Sequence, residues 1–64
     1  NQLTLQASNP LENIRLFNLL GQQVLTKKLS NTDETLNINT LDAGIYIAKV
    51  TIQGNIKTFK IIKN

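Results

Sequence analysis

The sequence predicts an all-β protein built of two packed antiparallel sheets, and three observations carry that prediction. Apolar residues recur at every second position through most of the 64-residue chain, which is the period of a half-buried strand. Turn-forming clusters interrupt these runs at short intervals, at Ser8-Asn9-Pro10, Ser30-Asn31-Thr32-Asp33 and Gly54-Asn55, and each favours a chain reversal. The rival reading, a helix over residues 11–29 suggested by leucine and glutamine, is weakened by Gly21 and by the β-favouring Val24-Leu25-Thr26.

Six strand-like runs follow in order. Residues 3–7 place Leu3, Leu5 and Ala7 on one face and end at the Ser-Asn-Pro turn. Residues 13–18 turn Ile14 and Leu16 one way, Arg15 and Phe17 the other. A short connection then leads to residues 22–29, and Gly21 just before the returning strand suits a hairpin with a positive-φ bulge. Leu19 and Leu20 at that tip are expected to tuck under the sheet edge. The fourth run, residues 34–39, points Leu36 and Ile38 inward.

The fifth run, residues 44–53, sets Tyr46, Ala48, Val50 and Ile52 on one face. The other face begins apolar at Ile45 and Ile47 and becomes polar at Lys49 and Thr51, as in a central strand whose outer face is covered at one end. Gly54-Asn55 is read as a two-residue hairpin turn, so residues 56–63 should return antiparallel to the fifth run. Phe17, Tyr46 and Phe59 all occupy positions compatible with the core.

Composition limits both stability and chemistry. A chain of this length is one domain at most, and a core so small rarely supplies more than about 3–5 kcal/mol net. There is no cysteine and no histidine, which excludes a disulfide staple and the usual structural zinc site. The first residues lack a basic start followed by an apolar run, no stretch reaches the length of a membrane-spanning helix, and the chain, which opens without Met and already inside an alternating pattern, is expected to be a piece of something longer. Seven basic against four acidic residues give a net charge of +3. All the basic residues except Arg15 are lysines, and Lys49, Lys57, Lys60 and Lys63 make the C-terminal end a basic strip, a pattern most simply explained as protection of strand edges.

No catalytic constellation emerges. Ser8 and Ser30 have no candidate base, and Glu12, Asp33, Glu34 and Asp42 offer no facing pair across a cleft. Asn31, Asp33 and Glu34 do not match a calcium loop and read as a solvated turn. The glycines stand singly, without a phosphate-cradling pattern, and basic residues are not interleaved with exposed aromatics as nucleic-acid binding would require. The chain is therefore expected to be no enzyme and to need no cofactor or metal. What remains is a surface that meets partners.

One stretch, Leu41-Asp42-Ala43-Gly44-Ile45-Tyr46, has a plain structural explanation: Leu41 plugs the core, Gly44 releases the backbone at positive φ, and Tyr46 buries its ring with the hydroxyl on a backbone partner. In order, however, "IRLFNLLGQQVL" (residues 14–25), "LDAGIYIAKV" (residues 41–50) and "GNIKTFKIIKN" (residues 54–64) resemble the type A C-terminal sorting domain of the type IX secretion system of Bacteroidetes. The matching parts are Gly21-Gln22-x-Val24, the Leu41-x-x-Gly44-x-Tyr46 box, and a last strand carrying lysines up to Lys63.

The resemblance implies an immunoglobulin-like β-sandwich of about six to seven strands, a single C-terminal secretion-signal domain over residues 1–64 of a larger secreted protein. The family usually opens with a Pro-Asn-Pro segment, and the chain starts just after where that would lie, so a first strand is expected to be missing. Partners implied are a covalently linked N-terminal cargo, the outer-membrane translocon and a surface sortase. Localisation implied is the periplasm in transit and then the cell surface or exterior. The recognition residues it marks are Gly21, Leu41, Gly44, Tyr46, Lys60, Ile61, Ile62 and Lys63: the box builds turn and core, and the last strand offers an edge and charges. The alternatives are a carbohydrate-binding or adhesive sandwich, which needs exposed aromatics on one sheet face, and a structural cap dimerising through its edge strands.

Overall fold

The computed structural model describes residues 2–64. They form six strands: β1 (Gln2–Gln6), β2 (Leu11–Phe17), β3 (Gln23–Lys28), β4 (Asp33–Asn37), β5 (Gly44–Ile52) and β6 (Asn55–Lys63). No helix forms over residues 11–29; Leu11, Leu16 and Leu25 there face the core from two antiparallel strands. Strands β1 and β4 pair as a two-stranded antiparallel sheet, and the other four form a sheet in the order β3-β2-β5-β6. The architecture is a small immunoglobulin-like sandwich.

Alternation decides which side chains fill the space between the sheets. Leu5 and Leu36 reach in from the small sheet, with Ile38 just beyond it, and meet Ile14, Leu16, Ala48 and Val50 from the large one. Ile14 and Ala48 are wholly shielded from solvent. Leu11 and Leu29 close the edge of this core, and Leu3, Ala7, Leu25 and Ile61 pack around it. Loops knit the sheets together: Ala7 N–H donates to Thr32 O at 2.9 Å and Leu11 N–H to Asn31 O at 3.0 Å. The β1–β2 and β3–β4 connections therefore lie side by side with their backbone groups satisfied.

The large sheet is twice as wide as the small one, so part of its inner face is left uncovered. The face assignments read from the sequence hold, but coverage does not follow from them. Phe59 pairs with Ala48 and shares its inward face, yet it remains 39% exposed, lining an open groove with Leu5, Ala7 and Leu11. Leu19 and Leu20 do not tuck under the edge as expected: they stand 69% and 84% exposed.

The reason for that correction is the tip itself. Asn18 and Gly21 close a turn, Gly21 N–H to Asn18 O at 3.0 Å, with Gly21 at φ 84° and Asn18 N–H returning to Gln22 O at 3.0 Å. Leu19 and Leu20 occupy its two central positions, which project from the sheet.

The second correction concerns the last hairpin, which turns at Gln53-Gly54 and not at Gly54-Asn55, both residues having positive φ (49° and 78°). Moving the turn one residue later would slide β6 by two and set Lys63, not Ile61, beside the buried Tyr46. Packing of Ile61 outweighs the strain at Gln53, which costs about 1 kcal/mol for a residue with a Cβ.

Candidate functional site

The box and the end of the last strand come together at one end of the large sheet. After β4 the chain turns as Leu41 N–H donates to Ile38 O at 3.1 Å, helped by Asn37 Oδ1, which accepts the Asn39 N–H at 2.8 Å. Leu41 packs against the core from this turn. Gly44 then opens β5 at φ 154°. A Cβ there would meet no atom within 4 Å, so a side chain would be opposed by backbone conformation alone.

Tyr46 is buried, and its hydroxyl donates to Asp42 O at 2.5 Å, the role read from the sequence. A bridge the sequence did not announce lies beside it. Lys63 stands opposite Gly44 in the β5–β6 register, and its Nζ donates to Ile38 O at 2.8 Å, to Asn39 O at 3.4 Å and to Leu41 O. An ammonium has three protons to donate, and here three carbonyls receive them. The β4–β5 connection is thus held from both sides of β5's first turn of ladder, by a phenol and by an ammonium. Lys63 is accordingly directed into the fold, not displayed with the basic strip.

The other residues singled out by sequence are distributed by strand alternation. Ile61 faces inward opposite Tyr46 and is half-buried; Ile62 faces outward opposite Ile45 and is 61% exposed. Lys60 is exposed on that same outer face opposite Ile47. Gly21 lies at the tip of the β2–β3 hairpin, at the same end of the sheet, since Phe17 pairs with Ile47. Sequence reasoning missed Glu12, whose carboxylate accepts the Gly54 N–H at 2.8 Å and fixes the last turn from β2. A contact spanning 42 residues leaves no local signature. Asn18 was also missed, although an Asn three residues before a turn glycine is a readable cue.

Strand β6 is at the margin of its sheet, paired with β5 along one side, and all its residues from Asn55 to Lys60 are exposed. Its turn closes on Ile52 and Asn55, so the alternation of an antiparallel ladder directs the backbone groups of Ile56, Thr58, Lys60 and Ile62 away from β5. Such an edge is a template for another strand.

Among the described residues no three His, Cys, Asp or Glu side chains come together as metal donors. The aromatic rings do not make a platform either: Phe17 faces outward opposite Ile47, Phe59 inward opposite Ala48, and Tyr46 is buried. No helix is long and apolar enough to cross a membrane among the described residues.

Compared with known proteins, the chain matches the family model described as secretion system C-terminal sorting domain over residues 1–64. Neither a curated protein nor a solved structure matches it.

Proposed function

Because the chain belongs to the family of secretion system C-terminal sorting domains, the address of type IX secretion that sends a cargo across the outer membrane, we propose that the address is read as a folded surface, by strand addition along the free edge of β6. The single observation that carries this reading is the position of β6: a nine-residue strand at the sheet margin with one side unpaired. Main-chain pairing supplies affinity in such recognition and alternate side chains supply selectivity. Lys60 and Ile62 flank the outward backbone groups and are the side chains a reader would sample.

The remaining residues act by fixing this edge. Leu41, Gly44 and Tyr46 shape the connection, Lys63 ties the strand end to it, and Ile61 anchors the strand in the core, while Gly21 shapes the β2–β3 hairpin on the far side of β5. The reader is the outer-membrane translocon, met in the periplasm with the cargo attached ahead of the domain. A surface sortase then takes the domain as substrate, so the domain performs no chemistry of its own. No observation favours the carbohydrate-binding alternative, since Phe17 and Phe59 are on opposite sheet faces.

The test is export of a cargo fusion. Deleting residues 60–64 is expected to strand the cargo in the periplasm, and Thr58→Pro separates recognition from folding. Proline there removes an outward donor while leaving the ladder to β5 intact. Loss of surface display with an unchanged unfolding curve is the expected result, and normal display of both variants would sink the reading.

A further inference from the structure

The outer face of the large sheet carries a charge and shape pattern of which the edge reading uses only Lys60 and Ile62. Strand register puts Arg15, Lys28, Lys49 and Lys60 on this face. No acidic residue pairs with any of these cations: Glu12 is engaged with the last turn, Asp33 and Glu34 are on β4 in the other sheet, and Asp42 is in the β4–β5 connection. One end of the face is apolar. There Ile45 and Ile62 pair, Phe17 pairs with Ile47, and Leu19 and Leu20 project beyond them.

The projection is built, not accidental. Asn18 Oδ1 accepts the N–H groups of Leu20 and Gln22, both at 3.0 Å, and Asn18 Nδ2 donates to Gln22 Oε1 at 2.8 Å. A tip locked this way loses little entropy on docking. Where the apolar end meets the basic area, Lys49 Nζ lies 5.4 Å from the centre of the Phe17 ring, an amphipathic junction suited to a water–apolar boundary.

We propose that this face rests on an anionic lipid surface, with Leu19 and Leu20 entering the acyl boundary and Lys49, Lys60 and Arg15 lying among the headgroups. Charge complementarity selects the occupant. A second copy of the chain is excluded, because it would set one field of four cations against another. A convex tip and cations scattered over a flat sheet require no register and no matching pocket, and a fluid anionic layer supplies attraction without either. In this pose the outward edge of β6 stays open.

The experiment is co-sedimentation of the purified chain with vesicles at about 0.1 M salt, where screening acts over about 10 Å. Vesicles of equal phosphatidylglycerol and phosphatidylcholine are expected to bind it, with about tenfold weaker binding to phosphatidylcholine alone, as a few interfacial cations imply. The double variant Leu19→Ser, Leu20→Ser should lose about tenfold in affinity through lost apolar burial, while its unfolding curve stays unchanged. The double variant Lys49→Gln, Lys60→Gln should weaken binding and flatten its salt dependence. Failure to bind the anionic vesicles would overturn the proposal and make an acidic protein the occupant; full binding by the serine variant would overturn it too. Neither result touches the strand-edge reading, which is tested by export.

Discussion

Two turns at the same end of the large sheet are stabilised in opposite ways. The β2–β3 tip is held by its own residues: Asn18 and Gln22 satisfy one another and Gly21 supplies the positive φ. The β4–β5 connection leans on distant ones, Tyr46 from the next strand and Lys63 from more than twenty residues on. The first turn is a local device that can be changed without consequence elsewhere. The second is a junction, and its shape reports whether β5 and β6 are in place.

The sharpest way to break this contrast is Tyr46→Ala. Removing a buried ring together with its hydroxyl bond should cost about 3–5 kcal/mol, comparable with the whole net stability of so small a core. Urea denaturation should find the variant largely unfolded, and a stable variant would show that the junction does not depend on Tyr46.

Next comes Lys63→Met, which keeps most of the stem and removes the ammonium. The loss of charge-assisted bonds to three carbonyls should lower stability by about 1.5 kcal/mol, a moderate value because solvent can reach part of the site. Amide hydrogen exchange should speed up at Leu41 and its neighbours and stay unchanged at Leu20 and Gln22.

The smallest effect belongs to Asn18→Ala, at about 1 kcal/mol for the side-chain bonds to the tip. Exchange should then rise at Leu20 and Gln22 alone, and a rise at Leu41 would erase the distinction between local and remote turns.

The same contrast explains what could be read from the chain beforehand. Strand faces followed from alternation, so the inward positions of Leu5, Ile14, Leu16, Leu36 and Ile38 were legible. Gly21 and the Tyr46 hydroxyl contact were legible because turn and partner are neighbours in sequence. Exposure was not, since alternation tells which face a residue takes and not what covers it. Hence Phe59, at a core-compatible position, ended up lining an open groove. Leu19 and Leu20 were misplaced because apolar character was weighed above turn geometry. Lys63 and Glu12 escaped because their partners are set by register across strands, and a lysine at a strand end carries no mark that its ammonium turns inward. Of the candidate site, the box was therefore visible and its fastening was not.

That fastening has a temporal side. A ribosome makes the β4–β5 connection well before it makes residue 63, so the loop stays without its ammonium tether while the intervening two dozen residues are still being added. Only a molecule translated through Lys63 can present the finished junction. A chain cut short of Lys63 would leave carbonyls of Ile38 and Leu41 without the cation that gathers them.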